Sequence, residues 1–337
     1  MKHFAVLTLI CALAFPFSAW AEKIQKGIEH FTDGAKPVTF MHRNMKMAGN
    51  LYMPEGYEEG KTYPAVITVH PGGGVKEQTS GLYAKKLAQK GYITLAVDAS
   101  YQGASEGEPR GIEIPAERVE DIRCAVDFLM TLPQVNKNKI GLVGICAGGG
   151  YALSAAQTEH RITAVATVSG VDTGEISRKG WDGAGVPAAA QVEALKAMAE
   201  QRTAEANGAP LKYNHIVPEK DEITAETPND IVEASEYYRT PRAQYPTANN
   251  LSLFSHSDAI YGFHATADID TLLTQPVLFI VGSEAGSLWQ SKAAYDKATS
   301  KKEFHVIEGA THMDLYDISQ YVNQAVEKLA AFFGENI

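Results

Sequence analysis

The sequence predicts an α/β fold in which a mostly parallel central sheet is covered by helices on both faces and carries an insertion after its sixth strand. Apolar segments alternate with segments of helical period along most of the chain, which is typical of buried parallel strands joined by helices. Residues 171–275 interrupt this alternation. A segment of that length is too long for a bare loop in a compact domain, so we expect it to form a small cap.

The strands are predicted where apolar residues run continuously or alternate with polar ones. Residues 38–44 and 46–54 alternate and predict an antiparallel hairpin at the start of the sheet. The later strands are continuous apolar runs, as expected for strands buried on both faces. They are predicted at residues 62–70, 92–100, 139–145, 162–170, 275–282 and 303–309.

The helices are predicted where apolar residues recur every three or four positions. In the clearest case, residues 115–132, Val119, Ile122 and Val126 share one face, and Pro115 suits the first helical position. The other helices are predicted at residues 78–90, 147–158, 187–207, 287–299 and 318–333. The core is therefore expected at residues 22–170 and 276–337, and the cap at 171–275.

The first 21 residues have the pattern of a secretory signal peptide. Lys2 precedes an apolar run from Phe4 to Phe17, and Ala19-Trp20-Ala21 matches the small-x-small cleavage pattern. The run is too short for a transmembrane helix. We therefore expect cleavage after Ala21 and a periplasmic or secreted mature protein with no stable membrane anchor.

The composition argues against several classes of partner. The chain has 30 Lys and Arg against 40 Asp and Glu, a formal net charge of -10. Its basic residues are dispersed, so the electrostatic footprint of a nucleic-acid-binding protein is missing from the sequence. The histidines are scattered, and neither an H-x-x-x-H nor a C-x-x-C spacing occurs. We expect no metal and no cofactor, and the sequence leaves the oligomeric state open.

A glycine-flanked cysteine follows the strand predicted at 139–145. Gly144-Ile145-Cys146-Ala147-Gly148 is a G-x-C-x-G pattern at a strand-to-helix junction, which predicts a nucleophile elbow with Cys146 as the nucleophile. The N-terminus of the following helix is expected to favour the thiolate over the thiol. The alternative is that Cys146 is a small core residue packed where the helix meets the strand. Cys124 lies on an apolar helix face, and we interpret it as structural.

Two further features of the sequence lie where a general base and an oxyanion hole for such a nucleophile are expected. His312 follows the last predicted strand, the position of the general base in the chain order nucleophile, acid, base. The turn His70-Pro71-Gly72-Gly73-Gly74 ends the first parallel strand. Backbone N–H groups near Gly73 and at Ala147 are therefore expected to form an oxyanion hole.

The sequence leaves more than one candidate for the acid of the expected triad. Glu284, just after the strand at 275–282, is the preferred candidate. Asp258, Asp268 and Asp270 precede that strand and stay open as alternatives.

Four segments carry a resemblance to a known family: HPGGGVKEQ, DASYQGASEGEPR, GICAGGGYA and EGATHMDLYD. Together they resemble the α/β-hydrolase superfamily, its dienelactone-hydrolase-like branch in particular, and are similar in places to X-Pro dipeptidyl-peptidase-like and acetyl-xylan-esterase-like hydrolases. The resemblance implies an α/β-hydrolase fold and a triad containing Cys146 and His312, and it suggests Glu77 as a partner of the thiol. The chain departs from the family at Ala285, where the acid is often an aspartate.

The predicted function is hydrolysis of a small ester, lactone or thioester through a Cys nucleophile and a His base. A peptidase or an acyltransferase on the same machinery is one alternative. Another is a non-catalytic, hydrolase-like binding protein with a redox-active thiol. Five aromatic residues of the insertion either pack its interior or line a pocket: Trp181, Tyr237, Tyr238, Tyr245 and Tyr261.

Overall fold

A computed structural model of the protein describes residues 32–337. The predicted signal peptide, residues 1–21, lies outside the described residues. Within residues 32–337, no helix combines the length and the apolar character that crossing a membrane requires.

Eight strands form the central sheet predicted from the sequence. The strands are β1 Lys36–His42, β2 Met45–Tyr52, β3 Tyr63–Val69, β4 Ile93–Val97, β5 Val135–Ile145, β6 Ala164–Val168, β9 Val277–Gly282 and β10 Lys302–Ile307. Their order across the sheet is β1-β2-β4-β3-β5-β6-β9-β10. The pairs β1–β2 and β2–β4 are antiparallel, and the other neighbours are parallel.

Helices connect these strands at the positions that the apolar periodicity predicts. They are α1 Thr79–Ala88 after β3, α2 Pro115–Thr131 after β4, α3 Ala147–Ala156 after β5, and α8 Leu288–Lys297 after β9. The short α9 Asp314–Asp317 and the closing α10 Ser319–Asn336 follow β10. The helix boundaries differ from the predicted ones by at most three residues, because helix ends fray into turns. Among the strands, β5 begins at Val135, four residues before its predicted start.

The sheet has an apolar core on each face because successive strand residues point to opposite sides. On β3, Ala65 and Ile67 pack with residues of α2 and α3 in one cluster. Val66 packs with residues of α1 and α10 in the other. Each fully buried Ile or Leu contributes roughly 1.5–3 kcal/mol of hydrophobic stabilisation. The two clusters together fix the positions of the strands and therefore of the loops at their carboxyl ends.

The chain between β6 and β9 contains several secondary-structure elements. They are α4 Thr173–Lys179, α5 Ala188–Ala206, β7 Tyr213–His215, α6 Asn229–Arg239, β8 Leu251–Leu253 and α7 Asp258–Tyr261. The strands β7 and β8 form a separate antiparallel pair. Of these helices, α5 was predicted from the sequence, whereas α4, α6 and α7 were not, because each is short and its apolar positions do not form a long periodic run.

A buried histidine joins the first strand to α2. The ring of His42 is fully buried, its Nδ1 lies 2.7 Å from a carboxylate oxygen of Asp121, and its Nε2 lies 3.0 Å from Glu117. The hydrogen bond to Asp121 is the largest influence on the pKa of His42 and raises it above its ordinary value, against the opposing effect of burial. We therefore expect a charged imidazolium to stabilise the contact between β1 and α2.

This contact predicts pH-dependent stability. Because the pKa of His42 is higher in the folded than in the unfolded state, its stabilisation is fully present below the unfolded value, about 6.5, and is lost as pH rises through the folded value. His42→Gln, which cannot carry the charge, should lower the free energy of unfolding by about 2 kcal/mol at about pH 6 and by less at about pH 9. Urea denaturation at both pH values measures this difference.

The matched control is His160→Gln, since His160 is exposed and its replacement should leave stability unchanged at both pH values. An equal loss for His42→Gln at the two pH values would show that its charge contributes nothing.

Candidate active site

Cys146 lies on a strained turn between β5 and α3. Its backbone has φ 53° and ψ −123°, in the positive-φ region that non-glycine residues rarely adopt. A Cβ on Gly144 would clash with the carbonyl oxygen of Gly148, and one on Gly148 would clash with that of Val69. The two glycines therefore allow the close backbone approach that the turn requires, and the Cys146 N–H donates to Val168 at 3.0 Å.

Three polar groups interact with the sulfur of Cys146: the Tyr316 hydroxyl and the backbone N–H groups of Ala147 and Gly72. They lower the pKa of the thiol, but burial has the larger effect and raises it above its ordinary value. The backbone N–H groups favour the thiolate, as expected, but desolvation of the charged sulfur outweighs them, so the net shift of the pKa is opposite to the expected one.

The turn His70–Gly74 is held rigidly beside the elbow. The Nε2 of His70 accepts the Ala99 N–H at 3.1 Å, so the ring proton lies on Nδ1 and is donated to the Pro71 carbonyl at 2.7 Å. Burial lowers the pKa of His70 well below its ordinary value, which keeps the ring neutral. A guanidinium nitrogen of the buried Arg118 donates to the His70 carbonyl at 2.8 Å.

Within this turn, the structure differs from the sequence expectation by one residue. The N–H that reaches the Cys146 sulfur belongs to Gly72 rather than to the expected Gly73. Gly73 has φ 71°, and its carbonyl accepts a hydrogen bond from the Asn250 side chain at 2.6 Å. Asn250 comes from the insertion, which the local sequence of the turn could not reveal. The Ala147 N–H lies where it was expected.

His312 lies in the loop between β10 and α9, and its side chain is almost completely buried. Its Nδ1 lies 2.7 Å from the Ser287 hydroxyl, and its Nε2 lies 3.3 Å from the Tyr316 hydroxyl. The indole of Trp181 packs edge to face against the imidazole, with ring centroids 5.0 Å apart. Burial lowers the pKa of His312 to about 4, against a smaller opposing effect of Asp230.

The expected acid, Glu284, does not contact the imidazole. It is exposed, and its carboxylate accepts a hydrogen bond from Ser283 at 3.2 Å. The alternatives Asp258, Asp268 and Asp270 are also exposed, and the first and third lie 3.8 Å from Arg202 and Lys297, respectively. Ser287, at the end of the same loop as Glu284, points its hydroxyl at Nδ1 instead.

A buried carboxylate does lie behind the imidazole, and it comes from the insertion. Asp230, in the first turn of α6, accepts hydrogen bonds from the His312 and Gly286 backbone N–H groups at 3.3 and 2.8 Å. It also accepts one from the indole N–H of Trp181 at 2.8 Å. Asp230 therefore fixes the backbone of the histidine loop and of the Ser287 loop, and its negative charge favours the imidazolium.

Glu77, the residue suggested as a partner of the thiol, belongs to a different cluster. Its carboxylate lies 2.5 Å from the ammonium of Lys76, which also contacts the buried Asp98 at 2.8 Å. Burial raises the pKa of Glu77 above its ordinary value. Glu77 does not contact Cys146 in the described part of the chain, because the Lys76 ammonium holds its carboxylate on the Asp98 side of the turn.

The structure thus brings Cys146, Ala147 and His312 together, and it adds Gly72, Ser287, Tyr316 and Asp230. Sequence reasoning missed the last three residues. Ser287 was the predicted start of a helix and Tyr316 lies one helical turn after His312, so position along the chain could have indicated both. Asp230 follows Pro228-Asn229, a helix-start signal, but nothing in the sequence places that helix against His312.

A cavity of about 200 Å³ adjoins the turn His70–Gly74. It lies between that turn, the loop after β4 and the β8 region of the insertion. The side chains that line it are mostly polar, among them Tyr101, Gln102, Arg110, Thr247 and Asn249. Cys146 itself is partly exposed, whereas the imidazole is covered by Trp181. Within residues 32–337, no cluster of His, Cys, Asp and Glu could hold a metal ion.

Comparison with known proteins connects this geometry to a family. The model of the dienelactone hydrolase family matches residues 47–180, from β2 to the end of α4 and its following turn. An uncharacterized protein of Escherichia coli, YcjY, is 43% identical over 305 residues, which are 89% of this chain and 98% of YcjY.

Solved structures show the same architecture. The hypothetical protein PA2218 from Pseudomonas aeruginosa has a TM-score of 0.83 at 34% identity, covering 90% of this chain and 94% of that one. The α/β-hydrolase GrgF from Penicillium has a TM-score of 0.75 at 19% identity, covering 90% and 98%. The fold is therefore an α/β-hydrolase fold, and the chain belongs to the dienelactone hydrolase family.

Proposed function

We propose that the protein is a thiol-dependent hydrolase that cleaves a small ester, lactone or thioester. The observation that carries the proposal is the convergence of two backbone N–H groups, those of Gly72 and Ala147, on the sulfur of a strained, partly exposed cysteine. A tetrahedral oxyanion formed at the carbon that the sulfur attacks would lie beside the same two donors.

The proposed reaction begins with both groups uncharged, because burial raises the pKa of the Cys146 thiol and lowers that of His312. The thiol loses its proton to the imidazole as the sulfur attacks the carbonyl carbon. The tetrahedral intermediate collapses to an acyl-thioester when the imidazolium protonates the leaving oxygen or sulfur. Water, deprotonated by His312, then releases the acid and restores the thiol.

Ser287 and Asp230 divide the task of the usual triad acid between them. The Ser287 hydroxyl holds the imidazole by Nδ1, and the Asp230 carboxylate supplies the negative charge that favours the imidazolium. Because this carboxylate acts through the loop backbone rather than by a hydrogen bond to the ring, we expect a weaker general base than a carboxylate-bound imidazole would be.

Acyl transfer to an acceptor other than water is a second candidate function. It is favoured by a relative from Penicillium named polyketide transferase grgF, which is 35% identical over 86 residues, 26% of this chain and 29% of the relative. The same acyl-thioester would form, and the acceptor would replace water. Product analysis in the presence of competing alcohols and amines separates the two functions, since only a transferase yields mainly the new ester or amide.

Replacement of the nucleophile tests the central assignment. Cys146→Ala should lower kcat by about three decades or more on the best substrate from a panel of activated esters, lactones and thioesters. Cys146→Ser should accumulate an acyl-enzyme if its deacylation is slow, which intact-mass spectrometry detects. The control is Cys124→Ala, because Cys124 is buried in α2 and should leave turnover unchanged. Near-normal turnover by Cys146→Ala would exclude the mechanism.

The identity of the group that orients the base is tested by two variants of one loop. Ser287→Ala should lower kcat about tenfold to hundredfold, because the imidazole loses its Nδ1 partner and its alignment. Glu284→Gln should leave kcat unchanged, since that carboxylate is exposed and directed at Ser283. The opposite ranking of the two variants in steady-state assays would restore Glu284 as the acid.

The pH dependence of kcat/KM follows from the neutral pair. Only neutral His312 can accept a proton, so activity should fall as pH drops through about 4 and should form a plateau above it. The plateau should continue past the ordinary thiol pKa of about 8.5, because burial raises the pKa of Cys146. A loss of kcat/KM below about pH 6 to 7 would instead indicate a solvent-exposed imidazole. An increase of kcat/KM across neutral pH would indicate a thiol of ordinary or lowered pKa.

A further inference from the structure

The proposed nucleophile and its base do not share a hydrogen bond. Among residues 32–337, the hydrogen bonds of the His312 ring go to Ser287 and Tyr316, and the side-chain partner of the Cys146 sulfur is Tyr316. The Tyr316 hydroxyl lies 3.3 Å from Nε2 of His312 and interacts electrostatically with the sulfur of Cys146, which packs against the cluster that contains Tyr316. One phenol therefore occupies the path between the thiol and the imidazole.

The surrounding structure holds that phenol in place. Tyr316 is 1% exposed and lies on α9, one helical turn after His312. Its ring meets the rings of Tyr237 and Tyr238 edge to face, with centroids 5.3 and 6.5 Å apart. Because Tyr237 and Tyr238 come from α6, the insertion fixes the direction of the Tyr316 hydroxyl.

We propose that Tyr316 is a catalytic residue that relays the proton from the Cys146 thiol to Nε2 of His312, an inference that rests on the proposed function. The S–H bond breaks as an O–H bond forms on Tyr316, and the original O–H bond of Tyr316 breaks as an N–H bond forms on His312. One proton moves from sulfur to nitrogen in total, and the tyrosine is unchanged. The sulfur electron pair forms the new S–C bond.

The chemistry of a buried phenol suits this task. Burial raises the pKa of Tyr316 well above its ordinary value, so the hydroxyl stays protonated and can donate one proton while accepting another. The relay requires the neutral imidazole to carry its own proton on Nδ1, where the Ser287 oxygen lies 2.7 Å away and can accept it. After the transfer, the phenol donates to the sulfur and stabilises its negative charge.

The test compares Tyr316→Phe with the matched control Tyr237→Phe. Both remove one hydroxyl from the same aromatic cluster, but the Tyr237 hydroxyl interacts with the backbone of Thr79 instead of the site. Tyr316→Phe should lower kcat about tenfold to hundredfold with KM unchanged, the loss expected for a proton-transfer group. Tyr237→Phe should keep the wild-type kcat. Wild-type kcat in Tyr316→Phe would overturn the proposal.

A second readout does not depend on the hydrolase activity. Alkylation of Cys146 by iodoacetamide at about pH 8 reports the thiolate directly. Tyr316→Phe should react about tenfold more slowly than the wild type and Tyr237→Phe, because a hydrogen bond to the charged sulfur is lost. If no ester, lactone or thioester is turned over, the proposed function fails, and this comparison still decides whether Tyr316 supports the thiolate. Equal alkylation rates for all three proteins would show that it does not.

A measurement on the wild type covers the case in which Tyr316→Phe does not fold. The rate of acyl-enzyme formation is followed in mixtures of H2O and D2O. Two protons moving in one step give a curved dependence on the deuterium fraction, as the relay requires. A straight line would show that a single proton moves directly and would overturn the relay.

Discussion

The close approach of backbones at residues 144–148 is the constraint on which the site depends. The glycines at 144 and 148 let α3 begin against the end of β5 without the clash that a Cβ would cause. Cys146 is thereby held at a positive φ, and its sulfur faces the N–H groups of Ala147 and Gly72. The strain of about 1–3 kcal/mol that such a residue stores is offset by the packed sheet on either side. A looser junction would leave the sulfur without a defined position.

Burial, more than any charge, sets the protonation states of the reacting groups. It raises the pKa of the Cys146 thiol and lowers that of His312, so the resting pair is neutral rather than a thiolate and an imidazolium. A neutral pair is less exposed to unwanted alkylation and oxidation, since the thiolate is the reactive form. In the proposed reaction, charge develops only during attack, where the Gly72 and Ala147 N–H groups and the negative potential of Asp230 would stabilise it.

The insertion is a structural part of the site. Its helix α6 supplies Asp230 at one end, and Tyr238 near the other end packs against Tyr316. Trp181 covers the imidazole, and Asn250 holds the carbonyl of Gly73. These contacts connect the insertion to His312, to the turn His70–Gly74 and, through Tyr316, to Cys146.

The sequence by itself determined the sheet, its covering helices, and the places of Cys146, Ala147 and His312, because each depends on residues close together in the chain. Apolar period, glycine spacing and strand order are local properties. Only the tertiary structure showed that Ser287 and Asp230, rather than Glu284, contact His312. It also showed that the backbone N–H beside the Cys146 sulfur belongs to Gly72, and that Glu77 pairs with Lys76 instead of the thiol. It also reversed the expected pKa shift of Cys146. Desolvation and contacts across 80 or more residues, such as that of Asp230 with His312, depend on how distant segments pack, and no local pattern encodes them.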